Sequence, residues 1–210
     1  MTSPTSIAAC TAAVSNLTGG TLDILINNAG ATFISPLADV DLAAARACFD
    51  INFFGYIATT QAFLPLLLAA SQSSRSGYNS IIANHSSMAA TSPAPWQGIY
   101  SASKAAVVTM TDVLRFEMAP LGIQVVEIKS GVVASGIYGE GKKKKALPEN
   151  SVYEFARGEI EMAMQDYDAA AVPAEGWARD VVGELLRRKP KREVSFGGLT
   201  LMNGILGSAG

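Results

Sequence analysis

The sequence predicts an α/β fold in which parallel strands form one sheet, within a single domain spanning residues 1–210. Short apolar runs alternate along the chain with longer patterns of helical period, as in folds built from repeated strand–helix units. The apolar runs are nearly continuous, which is typical of parallel strands buried on both faces. Hydrophobic residues make up 49% of the 210 residues, enough for a core of this kind.

Each element follows from its local pattern. Helices are predicted at residues 6–17, 41–70, 100–119, 151–164 and 174–188. Strands are predicted at residues 22–27, 80–84, 124–129 and 194–196. Pro65 is expected to kink or interrupt the end of the second helix, and Pro120 with Gly122 is expected to stop the third.

The composition excludes several classes of function. A net charge of -2 offers no basic surface for nucleic acid. Cys10 and Cys48 lie in helical patterns and are interpreted as ordinary buried thiols, and His85, the only histidine, cannot form a metal site by itself. The sequence shows no secretion signal, so a cytoplasmic location is expected.

Ser87, Tyr100 and Lys104 are the residues that most strongly indicate chemistry. Tyr100 and Lys104 stand four residues apart at the start of a helical pattern, so their side chains lie on one helix face. A free tyrosine has a pKa of ~10, which a nearby ammonium group lowers by stabilising the phenolate. Ser87 follows a strand pattern and could orient a substrate carbonyl. The three predict a proton-transfer site, although an exposed Tyr–Lys pair is the common alternative for this spacing.

Three further motifs accompany these residues. Asn27-Asn28-Ala29-Gly30 ends the first strand pattern, Asn52 interrupts an apolar helix pattern, and Ser130-Gly131-Val132-Val133-Ala134-Ser135 follows the third strand pattern. In this order the motifs resemble those of the short-chain dehydrogenase/reductase family. Ser130 stands where that family has proline, and the loss of the proline loosens a rigid turn. Ser135 stands where it has threonine, which keeps a hydroxyl group.

The resemblance implies a fold, a cofactor and a set of site residues. The fold is a Rossmann-like doubly wound parallel sheet, and the cofactor is NADP, with no metal. The implied catalytic residues are Asn52, Ser87, Tyr100 and Lys104. The implied cofactor-binding residues are Asn27, Ala29, Gly30, Tyr100, Lys104, Gly131, Val133 and Ser135.

One departure from the family pattern concerns the phosphate-binding loop. The family begins with a strand and a TGxxxGxG loop, whose glycines let the backbone approach the cofactor pyrophosphate. Residues 1–6 lead directly into the first helical pattern instead. We therefore expect a partial, N-terminally truncated sheet that lacks the first strands and the glycine-rich loop. Its strand at residues 22–27 would then have an unpaired edge, which reduces stability or recruits a partner strand.

Local sequences narrow the resemblance. Residues 61–68, 98–104 and 147–153 are similar to a fungal branch of NADPH-dependent 1-acyldihydroxyacetone-phosphate reductases. This likeness implies reduction of a ketone to an alcohol, with a lipid-linked ketone as one candidate substrate. Four lysines at residues 142–145 could steer an acidic substrate, or form a solvated basic loop. Residues 194–210 are apolar. Attachment to the endoplasmic reticulum or to a lipid droplet is therefore a weaker alternative to a purely cytoplasmic location.

Two other functions stay open at this stage. The Ser–Tyr–Lys set could catalyse an isomerisation or cyclisation without a nicotinamide. Alternatively, the chain could be a non-catalytic protein that binds a related chain through its exposed edge or its long helices. Long helices commonly form dimer faces in the family that the chain resembles, so the resemblance leaves a homo-oligomer open.

Overall fold

The computed structural model describes residues 2–73, 79–136, 146–164 and 171–198. The predictions for the lysine run at 142–145 and for the final residues 199–210 lie outside the described residues.

Four parallel strands form the sheet, in the order β1, β2, β3, β4. The strands are β1 (Ile24–Asn27), β2 (Ser80–Ser87), β3 (Ile123–Ser130) and β4 (Glu193–Phe196). The α/β fold with a parallel sheet is thereby confirmed. Within the described parts of the chain, β1 is an edge strand, and 42% of Ile26 is exposed there.

Six α-helices are described outside the sheet: α1 (Pro4–Thr18), α2 (Leu42–Phe49), α3 (Gly55–Gln72), α4 (Gly98–Met118), α5 (Arg157–Ala163) and α6 (Ala174–Leu185). A π-helical turn, Asp50–Phe54, joins α2 to α3, so the predicted long helix is continuous. Of the two effects expected of Pro65, the interruption is wrong, because α3 continues to Gln72, and the kink stays a prediction. Buried Phe63 and Leu67 hold this helix against the sheet on either side of the proline.

Helices cover both faces of the sheet, because successive strand residues point to opposite sides. On one face, Leu25, Ile82 and Val125 pack with side chains of α3 and with Met118 of α4. On the other face the core comprises Ile81, Ala83, Val126, Ile128 and Val194 of the strands with Val181 and Leu185 of α6. This two-sided burial is why the strand sequences are nearly continuous in apolar residues.

The helical segment Leu42–Gln72 is the one described segment that is long and apolar enough to cross a membrane by length and composition. A core helix of a globular domain has the same character. The part of this segment in α3 packs against the strands through Phe63, Leu66 and Leu67.

The prediction of two buried thiols is only half right. Cys48 is buried on α2, whereas Cys10 is exposed on α1. No residue of α1 is buried, and this helix packs against α3 rather than against the sheet. A helical pattern by itself does not distinguish a helix of the core from one at the periphery.

Candidate active site

A cavity of about 680 Å³ lies where β1, β2 and β3 end. Parallel strands bring their carboxyl ends to the same edge of a sheet, which is where ligands bind in open α/β folds. The cavity is lined from four directions: by the segments after β1 and β3, by the end of β2, by the first turns of α4, and by α6.

Most of the predicted site residues meet at this cavity. Those that line it are Ala29, Gly30, Ser87, Tyr100, Lys104, Gly131, Val133 and Ser135. Asn27 and Asn52 are fully buried and do not line it. Residues from three strand ends and one helix therefore converge on this cavity, and their catalytic and cofactor-binding roles stay predictions.

Lys104 is the charged group at the centre of the site. Only 3% of this residue is exposed, and its Nζ donates a hydrogen bond of 2.8 Å to the carbonyl oxygen of His85. Burial lowers its pKa from 10.5 to about 8, because the ammonium has lost most of its hydration. The same ammonium lies 5.5 Å from the centre of the Tyr56 ring, within cation–π distance.

Tyr56 is a buried neighbour of Lys104 that the sequence motifs did not indicate. Its hydroxyl donates to the carbonyl oxygen of His85 at 3.3 Å, so this oxygen accepts from both Tyr56 and Lys104. Burial raises the pKa of Tyr56 well above its usual range, so its phenol is neutral. A tyrosine inside an apolar helix gives no sequence signal that separates this role from ordinary packing.

Ser87 ends β2 and is mostly buried. Its Oγ accepts a hydrogen bond of 3.1 Å from the backbone N–H of Ala89. Because the oxygen serves as the acceptor in that contact, its O–H group can still act as a donor. The geometry suits a hydroxyl that orients a carbonyl oxygen in the cavity.

Asn52 stands in the π-helical turn and fixes the segment after β1. Its Oδ1 accepts from the N–H of Ala31 at 2.8 Å, and its Nδ2 donates to the carbonyl oxygen of Ala31 at 2.9 Å. Nδ2 also donates to Ser103 Oγ at 3.0 Å. A Cβ at Gly30 would lie 3.3 Å from Asn52 Oδ1 and 3.5 Å from Lys104 Nζ, so glycine lets the backbone pass close to both. The catalytic role that the family resemblance implies for Asn52 stays a prediction.

Asn27 belongs to a buried polar network behind the cavity. Its Nδ2 donates to Asn84 Oδ1 at 2.8 Å and to Thr60 Oγ1 at 3.1 Å. Asn84 in turn donates to Thr111 Oγ1 at 3.0 Å. These contacts tie two strands to α3 and α4, and a cofactor-binding role for Asn27 stays a prediction.

His85 and Trp177 form a second group in the cavity. His85 Nδ1 is 2.8 Å from Asn28 Oδ1, and Nε2 is 2.7 Å from Ser130 Oγ. The indole N–H of Trp177 donates to the same Ser130 Oγ at 3.0 Å, and the indole stacks on the imidazole with centroids 5.2 Å apart. Burial and the charge of Lys104 lower the pKa of His85 to about 3. Neither His85 nor Trp177 is among the site residues that the sequence predicts.

An open parallel sheet with a cavity at its carboxyl edge, lined by both apolar and polar side chains, is typical of α/β proteins that bind small molecules. The sequence model described as "short chain dehydrogenase" matches residues 1–146. The chain therefore belongs to the short-chain dehydrogenase/reductase family, as its motifs predict.

Curated relatives from fungi agree with this assignment. The chain is 38% identical over 189 residues to a short-chain dehydrogenase/reductase of Pestalotiopsis microspora, covering 88% of this chain and 60% of that protein. It is 36% identical over 143 residues to the NADPH-dependent 1-acyldihydroxyacetone phosphate reductase of Schizosaccharomyces pombe, covering 67% of this chain and 46% of that protein. The chain thus spans about half to two thirds of the length of these relatives.

Solved structures share the fold. A short-chain dehydrogenase from Streptomyces avermitilis superposes with a TM-score of 0.76 at 25% identity, covering 99% of this chain and 72% of that one. A Burkholderia cenocepacia dehydrogenase in complex with NADP has a TM-score of 0.68 at 23% identity, covering 99% and 71%. A Burkholderia phymatum protein in complex with NAD has a TM-score of 0.75 at 20% identity, covering 99% and 70%.

Proposed function

We propose that the protein is an NADP(H)-dependent oxidoreductase that reduces a ketone to an alcohol. The observation that carries the proposal is the convergence of Ser87, Tyr100 and buried Lys104 on one cavity at the carboxyl edge of the sheet. These are the residue types that carbonyl reduction needs: a proton donor, a cation that stabilises its conjugate base, and a hydroxyl that orients the carbonyl.

Each residue has a defined task in this proposal. Tyr100 donates a proton to the carbonyl oxygen of the ketone, and Lys104 stabilises the phenolate that remains. Ser87 donates a hydrogen bond to the same carbonyl oxygen, on which negative charge develops in the transition state. The bound nicotinamide supplies the hydride. Lys104 is held in place for this task by its bond to the His85 carbonyl oxygen.

The residues present fit the nicotinamide half of the cofactor. An ammonium has three donors, so Lys104 can bind ribose hydroxyls in addition to the His85 carbonyl oxygen. Gly30 leaves space beside Lys104 Nζ, and the backbone of Gly131 and Val133 lines the same cavity. The volume of about 680 Å³ lies within the range of ordinary small-molecule sites.

The choice of NADP(H) draws on the relatives. Proteins of Schizosaccharomyces pombe and Saccharomyces cerevisiae named NADPH-dependent reductases match the chain at 36% and 33% identity. Neighbours of the same fold hold NADP in one case and NAD in another. A titration with both nucleotides decides between them.

The proposed substrate is a lipid-linked ketone of the acyl-dihydroxyacetone-phosphate type. The two yeast relatives are named for this substrate. An apolar wall also favours it: Ile34 lines the cavity and packs against the buried cluster of Leu147, Ile160 and Met164. Such a wall would accommodate an acyl chain. With this substrate, the protein would work in the cytoplasm, including the surface of the endoplasmic reticulum or of lipid droplets, and as a homo-oligomer.

The test compares wild type with Tyr100→Phe in a ketone reduction assay that follows NADPH absorbance. Losing the proton donor should lower kcat roughly 100- to 10,000-fold. The dissociation constant for NADPH should stay within about threefold of wild type, because the aromatic ring is retained. Tyr153→Phe serves as the matched control, since its ring keeps the edge contact with Trp96.

Three results would count against the proposal. Full activity in Tyr100→Phe removes the proton-donor role. Product formed by wild type without any nicotinamide would instead support the isomerase or cyclase alternative. A stable complex with another protein, together with no turnover on any ketone, would support the interaction alternative.

A further inference from the structure

We propose that His85 is a positioning residue. Through Ser130, it holds in place the segment that follows β3 and that would contact the nicotinamide. The inference rests on the proposed function, because the segment it holds is the one that would contact the nicotinamide. Asn28, His85, Ser130 and Trp177 form one hydrogen-bonded group, the His85 network. All four residues line the cavity.

The hydrogen bonds of the His85 network all point in one direction, from Trp177 through Ser130 and His85 to Asn28. The Oδ1 of Asn28 can only accept, so the hydrogen of the neutral imidazole lies on Nδ1. Nε2 is then an acceptor and receives the hydroxyl proton of Ser130 at 2.7 Å. The indole of Trp177 can only donate, and it meets the oxygen of Ser130 at 3.0 Å. The lowered pKa of His85 agrees with a neutral ring.

Ser130 connects the His85 network to the backbone segment that follows β3. It ends β3, and the next three residues, Gly131, Val132 and Val133, line the cavity. On the far side, the N–H of Gly131 donates to Phe196 O at 2.9 Å. The segment is therefore held by backbone contacts to β4 on one side and by the Ser130 side chain on the other. A proline would restrain this position through its ring, whereas here hydrogen bonds do so.

His85 also connects this segment to the catalytic lysine. Its carbonyl oxygen accepts from Lys104 Nζ, while its ring holds Ser130. One residue thus sets the positions of two parts of the cavity wall that would face the nicotinamide riboside. Stacking of Trp177 on the imidazole fixes the plane of the ring.

Two substitutions of His85 test the hydrogen bonds of its two ring nitrogens separately. In His85→Gln the side-chain amide reaches the position of Nε2 and can still accept from Ser130. In His85→Asn the amide reaches only the position of Nδ1, so the contact with Asn28 is kept and that with Ser130 is lost. Ser130→Ala removes the same contact from the other side.

The first measurement uses the full 210-residue chain without ligand. Because His85 is the only histidine, a long-range ¹H–¹⁵N spectrum shows a single imidazole. We expect the Nδ1–H tautomer at pH 7 in wild type. Ser130→Ala should keep this tautomer, because Asn28 still accepts from Nδ1, but its Nε2 resonance should shift because that nitrogen has lost its hydrogen bond. An Nε2–H ring in wild type, or an unchanged Nε2 resonance in Ser130→Ala, would overturn the inference.

The second measurement is the NADPH dissociation constant, with KM and kcat for a ketone. His85→Asn and Ser130→Ala should each raise the dissociation constant and KM for NADPH about tenfold, the effect of one lost hydrogen bond. His85→Gln should stay within about threefold of wild type, and kcat should change less than KM in all three. Equal affinity in wild type, His85→Asn and Ser130→Ala would refute the positioning role while the proposed function stands. No NADPH binding by wild type would refute both.

Discussion

Replacing Lys104 by methionine should abolish catalysis and yet stabilise the folded protein at neutral pH. Methionine has a similar length and no charge, so it can occupy the space of the lysine among buried side chains. The variant loses the ammonium that would stabilise the Tyr100 phenolate. It also no longer places a charge in a site where only 3% of the residue is exposed.

The magnitude follows from the pKa of the buried ammonium. Burial lowers this pKa from 10.5 to about 8, and each pKa unit corresponds to ~1.4 kcal/mol, so the charged form costs about 3 kcal/mol at pH 7. Losing the hydrogen bond to His85 O subtracts about 1 kcal/mol from the gain. The free energy of unfolding of Lys104→Met should therefore exceed that of wild type by about 2 kcal/mol at pH 7.

The pH dependence provides the sharper test. Between pH 8 and pH 10.5 the unfolded chain binds a proton at Lys104 that the folded chain has released, so wild-type stability rises with pH relative to the variant. Below pH 8 both states are protonated, and the difference is constant. From pH 7 to pH 9.5 the advantage of the variant should shrink by about 2 kcal/mol.

Urea unfolding of both proteins at pH 7 and pH 9.5 measures this difference. Other lysines and tyrosines titrate in both proteins, so their contributions cancel in the comparison. Lys189→Met, at an exposed lysine, should change the free energy of unfolding by less than about 0.5 kcal/mol at either pH. A variant less stable than wild type at pH 7, or a difference that does not change with pH, would refute the argument.

Two further predictions concern the scaffold, and urea unfolding measures both. Leu67→Ala, at a fully buried core position, should lower the free energy of unfolding by about 2–5 kcal/mol, whereas Leu17→Ala, at a residue that is 86% exposed, should change it by less than about 0.5 kcal/mol. Thr111→Val leaves the Nδ2 of Asn84 without its partner and should lower the free energy of unfolding by about 1–3 kcal/mol. An unchanged free energy of unfolding would show that the hydrogen bond between Asn84 and Thr111 contributes nothing to stability.

The site was largely predictable from sequence because two of its determinants are local. The four-residue spacing of Tyr100 and Lys104 fixes their common helix face. The apolar runs predict parallel strands, whose carboxyl ends must meet, and Ser87 follows one of these runs. Neither step needs knowledge of a distant contact.

Other features depend on partners far away in sequence. The strand predicted at residues 80–84 extends to Ser87, since its polar end is satisfied by neighbouring strands rather than by water. The π-helical turn around Asn52 has no local signal, because its amide is paired with Ala31 in another segment. Trp177 reaches Ser130 only because α6 packs on the sheet face.

The polar end of β2 shows how the scaffold prepares the site. Asn84 bonds across to Asn27, His85 bonds to Asn28 on one side and Ser130 on the other, and the Oγ of Ser86 donates to Glu127 at 2.6 Å. These cross-strand bonds fix the strand immediately before Ser87. In the proposed function, a hydroxyl held in this way would not need to be ordered when substrate binds, and that preorganisation is what electrostatic catalysis requires. The buried polar residues of β2, which look unsuited to a central strand, would therefore support the proposed reaction by restricting the motion of Ser87, the last residue of the strand.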